Sequence, residues 1–113
     1  MNNQMRNAAQ RGIIVTVLMS YNGLVEDLDK LNDLDLDPKY FDGYFKAVVK
    51  ARQILKEKNP IVNDFMVEDF LEKQNYLNLQ EWCNILTTNI LVYDLVVWYY
   101  DMLKDEYIKR MAL

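Results

Sequence analysis

Histidine is missing from all 113 residues. The commonest general base and the commonest zinc ligand go with it, and a Ser-His or Cys-His nucleophile is impossible within this chain. The single cysteine, Cys83, rules out an internal disulfide, and nothing points to an oxidising compartment. Glycine occurs three times and proline twice, too few for the many turns of a sandwich or barrel. Neither G-x-x-x-x-G-K-[ST] nor G-x-G-x-x-G occurs, so both common Gly-rich phosphate cradles are lacking. The longest apolar stretch near the start, Ile13 to Met19, is too short to span a bilayer. It lacks the basic flank and cleavage site of a secretion signal. A cytoplasmic protein with no membrane partner, no cofactor and no metal is expected.

What is present favours helices. Hydrophobic residues make up 51% of the chain, enough for one domain with a real core. Leu, Lys, Asp, Glu and Met are plentiful, all tolerated well in helices or at their ends. The expected fold is all-α, a compact bundle of about six helices. A single domain should cover residues 8–113, after a polar, frayed stretch at 1–7.

The punctuation is readable. Ile13, Ile14, Val17 and Leu18 give a first helix over about 8–20, stopped by Tyr21-Asn22-Gly23. A short second helix is expected over Leu24 to Leu31. Asp37-Pro38 reads as the start of a third that runs to Lys58. Phe41, Tyr44, Phe45, Val48, Val49 and Ile54 would form its inner face, and Gly43 would mark a close helix contact. Asn59-Pro60 ends it. Asn63 or Asp64 caps a fourth helix to about Gln74, with Phe65, Val67, Phe70 and Leu71 inward. Asn78 to Glu81 resembles a capping box and opens a fifth, with Leu79, Trp82, Cys83 and Leu86 buried. A sixth begins near Asp94.

The formal net charge is −4, with an isoelectric point of about 4.7. A protein built to grip phosphate backbones wants a basic surface, so no direct nucleic-acid binding is expected. The charge is uneven: acids crowd residues 26–42, and Lys46, Lys50, Arg52, Lys56 and Lys58 follow. These make two solvated faces of opposite sign, or a polar surface that orients a partner. A basic helix-turn-helix reader would need a basic helix after Pro60. That segment instead carries Asp64, Glu68, Asp69 and Glu72.

No catalytic site assembles. Asp33, Asp35 and Asp37 alternate with Leu, but a calcium loop counted from Asp33 would place Pro38 and Tyr44 where Gly and Glu belong. Adjacent acids such as Glu68 and Asp69, or Asp105 and Glu106, are usual on solvent-facing helix surfaces. Cys83 beside Trp82 reads as a small buried hydrophobe. No catalytic, cofactor-binding or metal-binding residue is therefore assigned, and the chain is expected not to be an enzyme.

Residues 89–113 carry the functional signal. Val96, Tyr100, Leu103, Tyr107 and Met111 recur at spacings of three and four, one core-facing stripe. Leu95, Trp98 and Met102 form a second stripe on a neighbouring face. A domain this small readily buries the first stripe. The second is deep core or a partner surface, and Leu95, Trp98 and Met102 are the interface candidates. Tyr99 should face the core.

From Gln10 to Met111 the chain resembles the N-terminal domain of DnaB-type replicative DNA helicases. Ala9 to Ile14 lies where that family has a helix of the type E-A-E-Q-x-V-L-G. Leu36 to Phe45 falls near its D-F-Y-x-P-x-H-x-x-I-F region, with Phe41 near the usual histidine. Lys56 to Ile61 looks like its E-G-K-P-I-D turn, and Tyr99 to Arg110 is similar, without gaps, to its Y-A-E-I-V-R-E-K-S-I-K-R helix. Val15-Thr16 replaces small residues, and Ile90 to Leu95 lacks the family's Thr-Pro and Asn-Ile. The resemblance implies the globular head of the helicase, without motor motifs, that self-associates and docks primase or a helicase loader in DNA replication. A full-length parent would be an ATP-dependent helicase. The C-terminal helicase-binding domain of bacterial primases is similar in fold, so that domain, or a stand-alone phage protein that binds the replicative helicase, is the alternative. A small helical DNA-binding protein is the alternative of another class.

Overall fold

In the computed structural model, described over residues 1–22 and 27–112, the chain is all-α. Six α-helices and no strand occur among the described residues. They are α1 (Asn3–Met19), α2 (Leu28–Asn32), α3 (Gly43–Lys56), α4 (Asp64–Lys73), α5 (Leu79–Leu86) and α6 (Tyr93–Met111), with 3-10 turns at Ser20–Asn22 and Pro38–Tyr40. The expected start of the second helix lies outside the described residues.

The core forms around α1, which packs against α3, α4, α5 and α6. Ile13 to Leu18 are buried without a break, because helices cover α1 on several sides. The expected frayed start is corrected. Asn2 accepts a hydrogen bond from the Met5 amide at 2.8 Å and caps a helix that begins at Asn3. Arg6, one turn in, is already buried.

The Pro38 start signal is real but short-lived. Asp37 accepts from the Lys39 amide at 3.0 Å and opens only the 3-10 turn. Phe41 and Asp42 are extended, and α3 begins at Gly43. Tertiary contacts break the helix here. Phe41 is buried, the Asp42 amide donates to Gln10 Oε1 at 2.9 Å, and the Asp42 carboxylate is drawn to Arg6. Gly43 is no helix contact. A Cβ there would meet nothing within 4 Å, but its φ is +48°, the left-handed region where glycine carries no penalty. It turns the extended chain into α3.

The remaining joints follow their signals. Asn63 caps α4, accepting from the Met66 amide at 3.0 Å. At its other end Asn75 is left-handed, φ 56°. The Tyr76 amide donates to the Leu71 carbonyl at 2.8 Å and the Asn75 amide to Glu72 at 3.0 Å, a Schellman ending with Asn in place of Gly. Asn78 caps α5 through the Glu81 amide at 3.1 Å. The expected capping box is half made, because Arg11 takes the Glu81 carboxylate at 3.0 and 3.2 Å.

Several side chains face opposite to expectation. Phe65 is 69% exposed and Leu79 66% exposed, since both stand in the first turn of their helices, before the buried face begins. Ile54 and Cys83 are also exposed; α5 buries Trp82 and Ile85 instead. Arg52, expected on a solvated basic face, is buried. Its guanidinium donates to the Leu34 and Asn32 carbonyls, both at 3.1 Å, which ties the acidic 32–36 loop to α3. Burial holds its pKa down to about 10, partly opposed by Asp35.

Candidate functional site

α6 carries the two stripes at the expected residues, and they meet different fates. Val96, Tyr100 and Leu103 are buried. Tyr100 stacks on Phe41 at 6.1 Å and accepts the Asp37 amide through its hydroxyl at 2.7 Å. Burial pushes that hydroxyl up to about 12. The stripe fades towards the end of the helix, where Tyr107 is half-buried and Met111 is exposed, not core as expected.

The second stripe faces out. Leu95 is 41% and Trp98 55% exposed, and Met102 is half-buried. Tyr99 is half-buried against the core, with its ring edge-on to Trp98 at 5.1 Å. A Trp has a large apolar surface, and leaving most of it in water is unfavourable by about 25 cal/mol for each Å².

Beside the stripe lies a groove of about 380 Å³ between α1 and α6. Met5, Ala8, Ala9 and Gly12 line it from α1, Trp98 and Met102 from α6, and Leu91 from the connection between α5 and α6. Small residues on α1 make room for it. At Gly12 a Cβ would stand 2.8 Å from Leu91 Cδ1. One turn on, buried Thr16 donates to the Gly12 carbonyl at 2.6 Å and accepts the Leu91 amide at 2.9 Å. That pins the connection along the groove. None of the α1 or Leu91 contributions was expected from sequence. The signal was there, since Met5, Ala8 and Gly12 recur at three and four.

The outer edge of the stripe is acidic. Asp94, Asp101 and Asp105 are exposed on α6. Their neutralisation is slight, because Lys104 reaches Asp101 only at 4.0 Å, and Asp94 and Asp105 have no ion pair among the described residues.

Outside the groove, in a polar pocket with Asp42 and Glu106, buried Arg6 joins three elements. Nε meets Asp42, Nη1 donates to Glu106 at 2.7 Å, and Nη2 donates to the Tyr40 carbonyl at 3.1 Å. The hydrogen bond from Arg6 holds the Asp42 carboxyl below its ordinary value. Burial raises Glu106, but hydrogen bonds from the amino terminus and Arg6 outweigh it and leave it lowered. Arg6 itself shifts upward: burial opposes this, and the two carboxylates prevail.

Among the described residues no three of His, Cys, Asp and Glu gather closely enough to hold a metal ion. No helix among them is long and apolar enough to cross a membrane. No protein-family model, curated protein or solved structure matches the chain.

Proposed function

We propose that this chain is a protein-docking module, and that its docking surface is the face of α6 formed by Leu95, Trp98 and Met102 with the adjoining groove on α1. The observation that carries the reading is Trp98, more than half exposed at the centre of an apolar stripe. Trp is enriched among residues that dominate binding energy, and contiguous exposed apolar surface marks interaction sites.

The resemblance to the head domain of DnaB-type helicases supplies the biological setting: self-association, and docking of primase or a loader during DNA replication. An all-α architecture and an exposed apolar stripe on the helix that carries Tyr99 to Arg110 agree with that setting. No catalysis is assigned to this chain. The helicase-binding domain of a primase, or a phage protein that binds the helicase, would use the same surface with the opposite partner.

Light scattering after size exclusion tests the reading, with the chain alone, with a primase C-terminal domain and with the helicase. Self-association or a shift with primase supports the helicase head. A monomer that binds the helicase supports the primase-like or phage reading. Trp98→Ala should weaken whichever complex forms by about 30-fold or more, the 2 kcal/mol typical of a dominant contact. Its effect on folding should stay within about 1 kcal/mol, as for exposed positions. Equal losses of binding and of helix content would defeat the assignment. Affinity for DNA that falls steeply with salt would favour the nucleic-acid alternative.

A further inference from the structure

We infer that the acidic-edged stripe of α6 docks into a second groove, between α3 and α4, on another copy of this chain. The inference rests on the docking reading above and names both halves of the contact.

The second groove has a volume of about 420 Å³, within the usual range of ligand-binding clefts. Its floor is apolar, with Ala47, Ala51 and Leu71, and half-buried Phe70 forms one wall. Ile54, 48% exposed, sits at its end. The two charged residues that line it are Lys46 and Lys50. Both are exposed, and neither has a carboxylate within ion-pair distance among the described residues. In a chain of net charge −4, this is an apolar cleft with a purely cationic edge.

The α6 stripe is its complement in three respects. Leu95, Trp98 and Met102 offer apolar bulk, where the groove offers a small-residue floor. Asp101 and Asp105 stand one helical turn apart, as do Lys46 and Lys50, so two opposite charges can pair at one register. The lengths also match. Lys46 to Ile54 spans about 12 Å of helix and Leu95 to Met102 about 10 Å, at 1.5 Å per residue. The two surfaces share no residue, and they lie on different packing units, since α6 packs chiefly on α1 and α4 chiefly on α3. Each copy can therefore give its stripe to one neighbour and its groove to another. Pairing α6 with α6 would set acid against acid across the seam, and like charges brought together oppose association.

Charge exchange tests this without touching buried residues. Lys46→Glu with Lys50→Glu makes the groove acidic, and Asp101→Lys with Asp105→Lys makes the stripe basic. The unaltered chain should self-associate in analytical ultracentrifugation, with affinity that falls between about 50 mM and 500 mM salt as screening shortens. Each doubly substituted chain alone should lose at least 10-fold in affinity, at unchanged helix content by circular dichroism. An equimolar mixture of the two should associate again, since each stripe then meets a groove of opposite charge. Full association of either variant alone, or no recovery in the mixture, overturns the inference. An unaltered chain that stays monomeric at low salt overturns it too. Such a chain could still bind primase or helicase through Trp98, so the docking reading would stand or fall separately.

Discussion

Arg6 shows how one side chain can reorganise the reading of a segment. Polar residues 1–7 looked free to fray, yet Arg6 is buried and spends its donors on Asp42, Glu106 and a carbonyl. Removing either carboxylate is costly because it leaves the buried guanidinium short of a partner. The carboxylates also make stability depend on pH. Asp42 and Glu106 both titrate below their ordinary values in the folded chain. A depressed carboxylate contributes stability that is fully present above its unfolded pKa and is lost as pH falls through the folded one. Urea midpoints should thus be level from neutral pH down to about 5 and fall steeply below about 4, the ordinary carboxylate range. A Glu106→Gln chain should fall less steeply there. The signal for a buried Arg6 was present: with Gln10, Ile13 and Val17 it occupies one face of α1 at i, i+4, i+7 and i+11. Its partners, 36 and 100 residues away, were not legible, because local periodicity says nothing of distant contacts.

At the scale of the helices, boundaries were legible where a capping residue acts alone. Asn63, Asn78 and Asn59-Pro60 did as their chemistry requires. Signals failed where a distant group competed for the same atoms. Glu81 turned to Arg11, not to its own helix start, and Asp42 turned to Arg6. Side-chain facing was misread at first turns, as Phe65 and Leu79 show, and also at Ile54 and Cys83, which lie off the buried faces of α3 and α5. For the candidate site, Leu95, Trp98 and Met102 could be named as a stripe, and the spacing of Met5, Ala8 and Gly12 marked another; that the two meet, with Leu91 between them, was not legible, since it depends on how α1 crosses α6. Gly12→Ala probes that crossing. Alanine gains about 1 kcal/mol of helix propensity, and crowding Leu91 costs about as much, as overpacking does at its lower end. Thermal stability should then change by no more than a few degrees. Leu91 lines the groove, so displacing its Cδ1 should weaken binding at the α6 face. Weakened stability with unchanged binding would mean that Leu91 moves elsewhere.

At the scale of the whole molecule, the architecture is an all-α bundle, and fold alone carries no function. The reading therefore rests on surfaces. One is apolar with an acidic edge and the other apolar with a cationic edge. A contact between unlike surfaces of identical copies is heterologous, and such contacts close into rings or run on as filaments according to the rotation between neighbours.

The Arg6 clamp has a kinetic counterpart. Local opening proceeds in cooperative units, and Arg6 binds the first turns of α1 to the later turns of α6 through Glu106. Those two stretches, from opposite ends of the chain, should exchange their amide hydrogens with deuterium at a common rate, as one opening unit. Arg6→Met should uncouple them, so that residues 104–111 exchange faster than the start of α1. The ends of this chain would then breathe separately, and the groove between them would lose its fixed width.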